Sequence, residues 1–137
     1  MGIAGAVIFA GTQHAGLERF YRAADVFILL SAFDTFGMVV LEAMASGLPV
    51  IVSPNVGAKD LVTEGVNGFI LPDFRNVDVA ADKIVQLLEV ERRKAMGGAA
   101  QTKASEHAWE RLAVEIANIY TLRLSLKVTH EQPHGCS

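Results

Sequence analysis

One cysteine, Cys136, occurs in 137 residues. That excludes an internal disulfide framework and is compatible with a reducing compartment. Basic excess is also lacking, since 12 lysines and arginines against 15 aspartates and glutamates leave a net charge of −3. Neither a nucleic-acid footprint nor a polybasic membrane surface is indicated. Asp34, Glu42 and Pro49 interrupt the longest apolar runs well short of a membrane span. The opening Met1-Gly-Ile-Ala-Gly-Ala-Val7 lacks the charged region of a signal peptide. There are no internal repeats and no low-complexity segments. Gly-x-Ser-x-Gly, Walker and Gly-x-Gly-x-x-Gly fingerprints are missing too, which weighs against an α/β hydrolase or a common nucleotide-fold enzyme. What remains is 51% apolar and 20% charged residues over one domain's length. That describes a soluble globular α/β chain with enough residues for a core.

The chain is organised around residues 31–50. Before them, 25–30 (Asp-Val-Phe-Ile-Leu-Leu) is an apolar, β-branched and aromatic run that predicts a buried strand, and 49–53 (Pro-Val-Ile-Val-Ser) predicts another. Between them 37–46 holds helix formers without proline, and Gly47 is placed to end the helix. The result is a βαβ unit, whose strand-to-helix loop faces the ligand crevice in open parallel sheets.

Two acids stand out. Asp34 lies in the turn and Glu42 in the helix, with seven residues between them. Glu42 is flanked by Val39, Val40, Leu41, Ala43 and Met44, which predicts a desolvated carboxylate in need of partners. A pair of ligand hydroxyls would supply them. A backbone amide or an arginine would serve equally, and the residue could instead lie at the helix edge. The free amides of Gly37, Met38 and Val39 at the helix start favour an anion such as phosphate.

Elsewhere, 7–10 predicts a first strand that begins almost at Met1, as though the sheet had been cut. Residues 11–16 form a polar loop in which His14 reads as solvated. Residues 17–24 predict a helix with Leu17, Phe20, Tyr21 and Ala24 on one face. Residues 59–64 predict a short helix, Gly68 a positive φ, and 69–71 the last strand. Asn76 or Asp78 can cap a long helix over 79–96, with Ala80, Ile84, Leu87, Leu88 and Ala95 inward and Gly97-Gly98 breaking it. The charged run 91–94 reads as a solvated helix face. Helices are expected over 99–107 and 109–124, the second with Trp109, Leu112, Ala113, Ile116, Ile119 and Tyr120 on one side and Trp109 as a packing anchor. Residues 127–137 read as a disordered tail whose His130, His134 and Cys136 lack the spacing of a metal site.

Phe33-Asp34-Thr35-Phe36-Gly37, followed by Leu41-Glu42-Ala43-Met44-Ala45-Ser46-Gly47-Leu48-Pro49-Val50-Ile51, resembles the signature of the group 1 glycosyltransferases (glycosyltransferase family 4). Their hallmark is Glu-x7-Glu, and here Asp34 replaces the first glutamate. The resemblance covers about residues 7–120 and implies a Rossmann-like open parallel sheet with flanking helices. It corresponds to part of a GT-B carboxy-terminal domain, over residues 1–126. It implies a retaining transferase that uses a nucleotide-diphosphate sugar, needs no obligatory metal and acts on a glycan or lipid-linked acceptor. By the same resemblance Asp34 is the catalytic contact to the transferred sugar and Glu42 accepts from the ribose hydroxyls. Backbone amides around Gly37, Met38 and Val39 hold the diphosphate, Phe36 is a further donor-binding residue, and Thr12 and Gln13 lie beside the base. Gly47, Pro49 and Gly68 look structural, and the Trp109 helix resembles the segment that crosses back to the amino-terminal domain. The resemblance implies a cytoplasmic location, with a membrane-peripheral full-length enzyme as the alternative.

The departures carry as much as the matches. Asp34 is one methylene shorter than glutamate, and Gly57-Ala58 stands where the family has two glycines. The family's Arg and Lys at the diphosphate would lie before Ala10, and the acceptor-binding domain is absent. The isolated chain is therefore expected to be inactive and to self-associate through bare sheet edges. The competing expectation is a non-catalytic Rossmann-like binding or self-assembly module.

Overall fold

The computed structural model describes residues 3–13, 15–107, 113–114 and 116–121. The readings of His14, Trp109, Leu112 and the tail lie outside these residues. After a 3-10 turn, Ala4–Ala6, the elements are α1 (Leu17–Ala23), β1 (Phe27–Leu29), α2 (Met38–Ala45), β2 (Val50–Val52), a 3-10 turn (Gly57–Leu61), β3 (Gly68–Ile70), α3 (Val77–Gln86) and α4 (Val90–Ser105). Residues 113–114 and 116–121 are helical.

The three strands form one parallel sheet in the order β1-β2-β3, with Phe27 beside Val50 and Val50 beside Gly68. Central β2 is wholly buried because both faces are covered. Val50 and Val52 face one core with Tyr21, Val40, Ala43 and Met44, while Ile51 faces a second core with Phe69, Leu71, Leu87 and Met96. This is the near-continuous apolar run of a strand covered on both sides. The expected βαβ unit is present, and Gly47 ends its helix. At φ +81° it lets its own N–H reach Met44 O (2.9 Å) and Leu48 N–H reach Ala43 O (3.1 Å), the paired bonds of a Schellman cap.

Three expectations in the first half of the chain are corrected. Residues 7–10 are not a strand: no sheet ladder takes their backbone groups, and Ile8 and Phe9 are 89% and 95% exposed. The outer edge of β1 is correspondingly unpaired among the described residues. Gly68 does not take a positive φ; Gly65 does, at +74°. Gly68 is glycine for close approach, since a Cβ there would lie 2.4 Å from Val50 O. The short helix expected over 59–64 is a 3-10 turn that starts earlier, at Gly57.

The long helix breaks ten residues before the glycine pair. Leu87 turns into the second core, and Arg93 Nη1 donates to the freed Leu87 carbonyl (2.9 Å) while its Nε pairs with Asp25 (3.2 Å). Arg93 thus ties the run 91–94 to the body of the fold, while Arg92 stays at the surface near Glu89. Asn76 supplies the cap of α3, accepting from Val79 N–H at 3.1 Å. Of the inward stripe, Ala80 and Leu87 are buried and Ile84, Leu88 and Ala95 are exposed. Gly97-Gly98 lies inside α4. A Cβ on Gly97 would stand 2.2 Å from Gly47 O, so this glycine lets α4 cross the end of α2. Ala100 and Ala104 continue that contact, and Gln101 Nε2 donates to Ala45 O (3.2 Å).

Candidate functional site

The loops after β1 and β2 run side by side. Asp34 N–H donates to Asn55 O (3.1 Å) and Gly57 N–H donates to Asp34 O (3.0 Å), which extends the sheet pairing beyond the strands. Gly57 has no room for a side chain, because a Cβ would meet Thr35 O at 2.2 Å. The backbone of Asp34 is therefore clamped from both sides. Its carboxylate is half-buried, and Oδ1 accepts from Phe36 N–H (3.1 Å), a turn closed by its own side chain. Oδ2 has no hydrogen-bond partner among the described residues.

Gly37 opens α2 in the left-handed region at φ +76°, and a Cβ would meet Val56 Cγ1 at 2.8 Å. Two constraints thus require glycine there, backbone conformation and space. The Ala58 methyl packs against this same point. The amides of Gly37, Met38 and Val39 lead the helix, and none bonds back to the preceding turn. They are the partial positive end of the helix, available to an anion.

Glu42 corrects the expectation of a desolvated carboxylate. It is exposed. The helix buries Val40, Ala43 and Met44, and Glu42 falls on the opposite face with Met38 and Ala45. Its partner is no base: Tyr21 Oη–H donates to Glu42 Oε2 at 3.0 Å. Oε1 has no partner among the described residues. Tyr21 is buried, its ring in edge contact with Phe27 at 5.9 Å and 64°. Burial first, then the hydrogen bond to Glu42 and its charge, push the phenol from 10.0 up to about 12. Sequence reading placed Tyr21 on the apolar face of α1 and missed this role. The available signal was chemical, since a buried tyrosine hydroxyl needs a partner.

The other residues fall in two hollows. Phe36 and Met38 line a crevice of about 590 Å3 with Thr35, Leu41, Asp60 and His107. It lies at the amino end of α2, where the chain leaves α4. Gln13 lines a shallower hollow of about 620 Å3 with Gly16, Arg19 and Phe20, and its Nε2 donates to Ala10 O. The Arg19 guanidinium makes no ion pair or hydrogen bond among the described residues, while its backbone N–H donates to Gly16 O (3.0 Å). Thr12 is exposed. Neither Asp34 nor Glu42 lines either hollow, so Phe36 and Met38 are brought together while Gln13, Asp34 and Glu42 stand apart. Among the described residues no His, Cys, Asp and Glu cluster could hold a metal ion, and no helix is long and apolar enough to cross a membrane.

Comparison with known proteins adds the following. The family described as "Glycosyl transferases group 1" matches residues 1–103. Spore coat protein SA of Bacillus subtilis is 36% identical over 107 residues, which are 76% of this chain and 28% of that protein. Sucrose-phosphate synthase from Thermosynechococcus elongatus superposes with a TM-score of 0.70 at 26% identity, over 78% of this chain and 27% of that one. HepE of Anabaena, solved in complex with UDP, gives 0.63 at 26% identity, over 77% and 29%. The chain spans about a quarter to a third of the length of the curated relatives it matches.

Proposed function

The chain belongs to the group 1 glycosyltransferases, its sheet being part of a Rossmann-like GT-B domain, and on that premise we propose that it forms the donor-binding part of a retaining enzyme. Its donor is a nucleotide-diphosphate sugar. The acceptor, a glycan or lipid-linked sugar, is held by an amino-terminal domain of the full-length enzyme. One arrangement carries the reading: Asp34, the amides of Gly37, Met38 and Val39, and Glu42 follow one another through the loop and first turns of α2. HepE, similar over most of this chain, has been solved with UDP and with UDP-glucose.

In this reading each group meets one part of the donor. Glu42 accepts from the ribose diol, the α2 amides take the charge that develops on the diphosphate as the sugar departs, and Asp34 contacts the sugar's hydroxyls. Stabilising that leaving charge is the larger demand, and positioned dipoles supply it without reorganisation. The amides take this role in place of a metal. Phe36 and Met38 wall the diphosphate side, and Thr12 and Gln13 lie beside the base. Because no lysine or arginine lines the crevice at the start of α2 among the described residues, charge stabilisation there is incomplete. Transfer also needs the acceptor held against the anomeric carbon. The isolated chain therefore binds a donor weakly and turns over negligibly.

A non-catalytic assembly module is favoured by two features of the described residues, a β1 edge without a partner strand and the exposed side chains of Ile8 and Phe9. Titration with UDP, GDP and ADP, followed by NMR, separates the two. A carboxylate hydrogen bond lost with Glu42→Ala costs about 1.5–3 kcal/mol, so affinity for one nucleotide drops by roughly 10- to 100-fold with the fold intact. Equal binding by Glu42→Ala, or no response to any nucleotide, overturns the donor-site reading.

A further inference from the structure

We propose that Tyr21 is a positioning residue of the donor site, whose phenol holds the Glu42 carboxylate ready for the two hydroxyls of a ribose. This rests on the reading of Glu42 given above. An exposed glutamate is free about three side-chain bonds, and a ligand that uses it must first freeze it. Tyr21 differs in every respect. Its ring is buried in the core shared by α1, α2 and β2, with Phe27 against its edge, so packing fixes where its hydroxyl emerges. The single bond to Oε2, 3.0 Å long, turns a mobile side chain into an oriented one.

The bond leaves the acceptor capacity that a diol needs. An ionised carboxylate has about four lone-pair sites on two oxygens, and the phenol occupies one. Among the described residues Oε1 has no partner, and Oε2 keeps a second site. A lysine or arginine in the same place would neutralise the charge that makes Glu42 a strong acceptor. A phenol orients without neutralising. Because burial raises its pKa to about 12, Tyr21 stays a donor at neutral pH and well above it. The bland alternative is that Glu42 merely satisfies a hydroxyl that burial would otherwise strand. The two differ in whether ligand selectivity depends on the bond.

The test compares UDP, GDP and ADP with their 2′,3′-dideoxy forms on the whole chain, wild type and Tyr21→Phe, with Glu42→Ala and the double variant as references. Tyr21→Phe keeps the ring on Phe27 and removes only the hydroxyl. The preference for the ribose form over its dideoxy form is expected to fall about five- to tenfold in Tyr21→Phe, equivalent to about 1–1.4 kcal/mol. It is expected to vanish in Glu42→Ala, and the double variant should match Glu42→Ala alone. A merely structural loss would weaken both ligand forms equally and leave the ratio unchanged. If the preference vanishes in Glu42→Ala but persists in Tyr21→Phe, the positioning role is overturned and the donor site stands. If Glu42→Ala keeps the preference, or no nucleotide binds, both are overturned.

Discussion

Two stretches of this chain have almost the same composition and opposite fates. Val50-Ile51-Val52 is buried to the last atom, between two cores and two neighbouring strands. Val7-Ile8-Phe9 carries as much β-forming and apolar character, yet has no ladder and stands in solvent. The first has covered faces and paired edges, and the second has neither. Strand character in a sequence is thus a preference for a pleated, covered surface, and it is realised only where the rest of the chain supplies one.

Truncating the same side chain in each stretch breaks that comparison most directly. Ile51→Ala leaves a hole in a packed core and is expected to lower stability by about 2–5 kcal/mol. Ile8→Ala removes a side chain already in water and is expected to stay within about 0.5 kcal/mol. Urea unfolding of the two variants measures both. Similar losses would mean that residues 7–10 are packed in solution.

A second test acts on the packed half through pH. The phenol of Tyr21 titrates at about 12 in the fold, against 10.0 for the ordinary group. A raised pKa favours the protonated form in the native state. Its contribution is complete below pH 10 and is lost as pH climbs through 12. Two units correspond to about 2–3 kcal/mol. The wild type should therefore lose that much stability, relative to Tyr21→Phe, between pH 10 and 12. Residues 7–10 hold no titratable side chain and predict no such change. Parallel curves for wild type and Tyr21→Phe would show that the phenol is not held neutral by the fold.

The central βαβ unit, the end of α2 at Gly47 and the Asn76 cap were legible because each depends on neighbours in sequence. Glu42 shows a signal that was present but outweighed. Its flanks are apolar, yet Val40 and Ala43–Met44 lie about 200° and 100–200° around the helix from it, so a buried 40/43/44 face turns Glu42 outward. Gly97 and Gly68 were legible as special positions but not for the right reason. Their requirement is the approach of Gly47 O and Val50 O, contacts across fifty and eighteen residues that local turn chemistry does not encode. For the site, the motif placed Asp34 and Glu42 on loop and helix. The bond from Tyr21, twenty-one residues away, depended on how α1 packs against α2.

The smallest effect on stability should accompany the clearest change in assembly. Among the described residues, exposed Ile8 and Phe9 offer apolar surface to another chain, and the outer edge of β1, which carries exposed Ile28, offers unpaired backbone groups. A charged side chain on such a surface resists that pairing because it would have to be desolvated in the contact. Wild-type chain is therefore expected to sediment as dimers or larger species at high concentration, and Ile8→Lys with Phe9→Lys to sediment as a monomer. Both residues are almost fully in water, so the double variant should unfold within about 0.5 kcal/mol of wild type. A monomeric wild type would show that a bare edge only three residues long is too short to recruit a partner. A double variant that stays associated would move the contact elsewhere. The exposed side chains Val114, Ile119 and Tyr120 of the last described helical residues would then be the surface to change next.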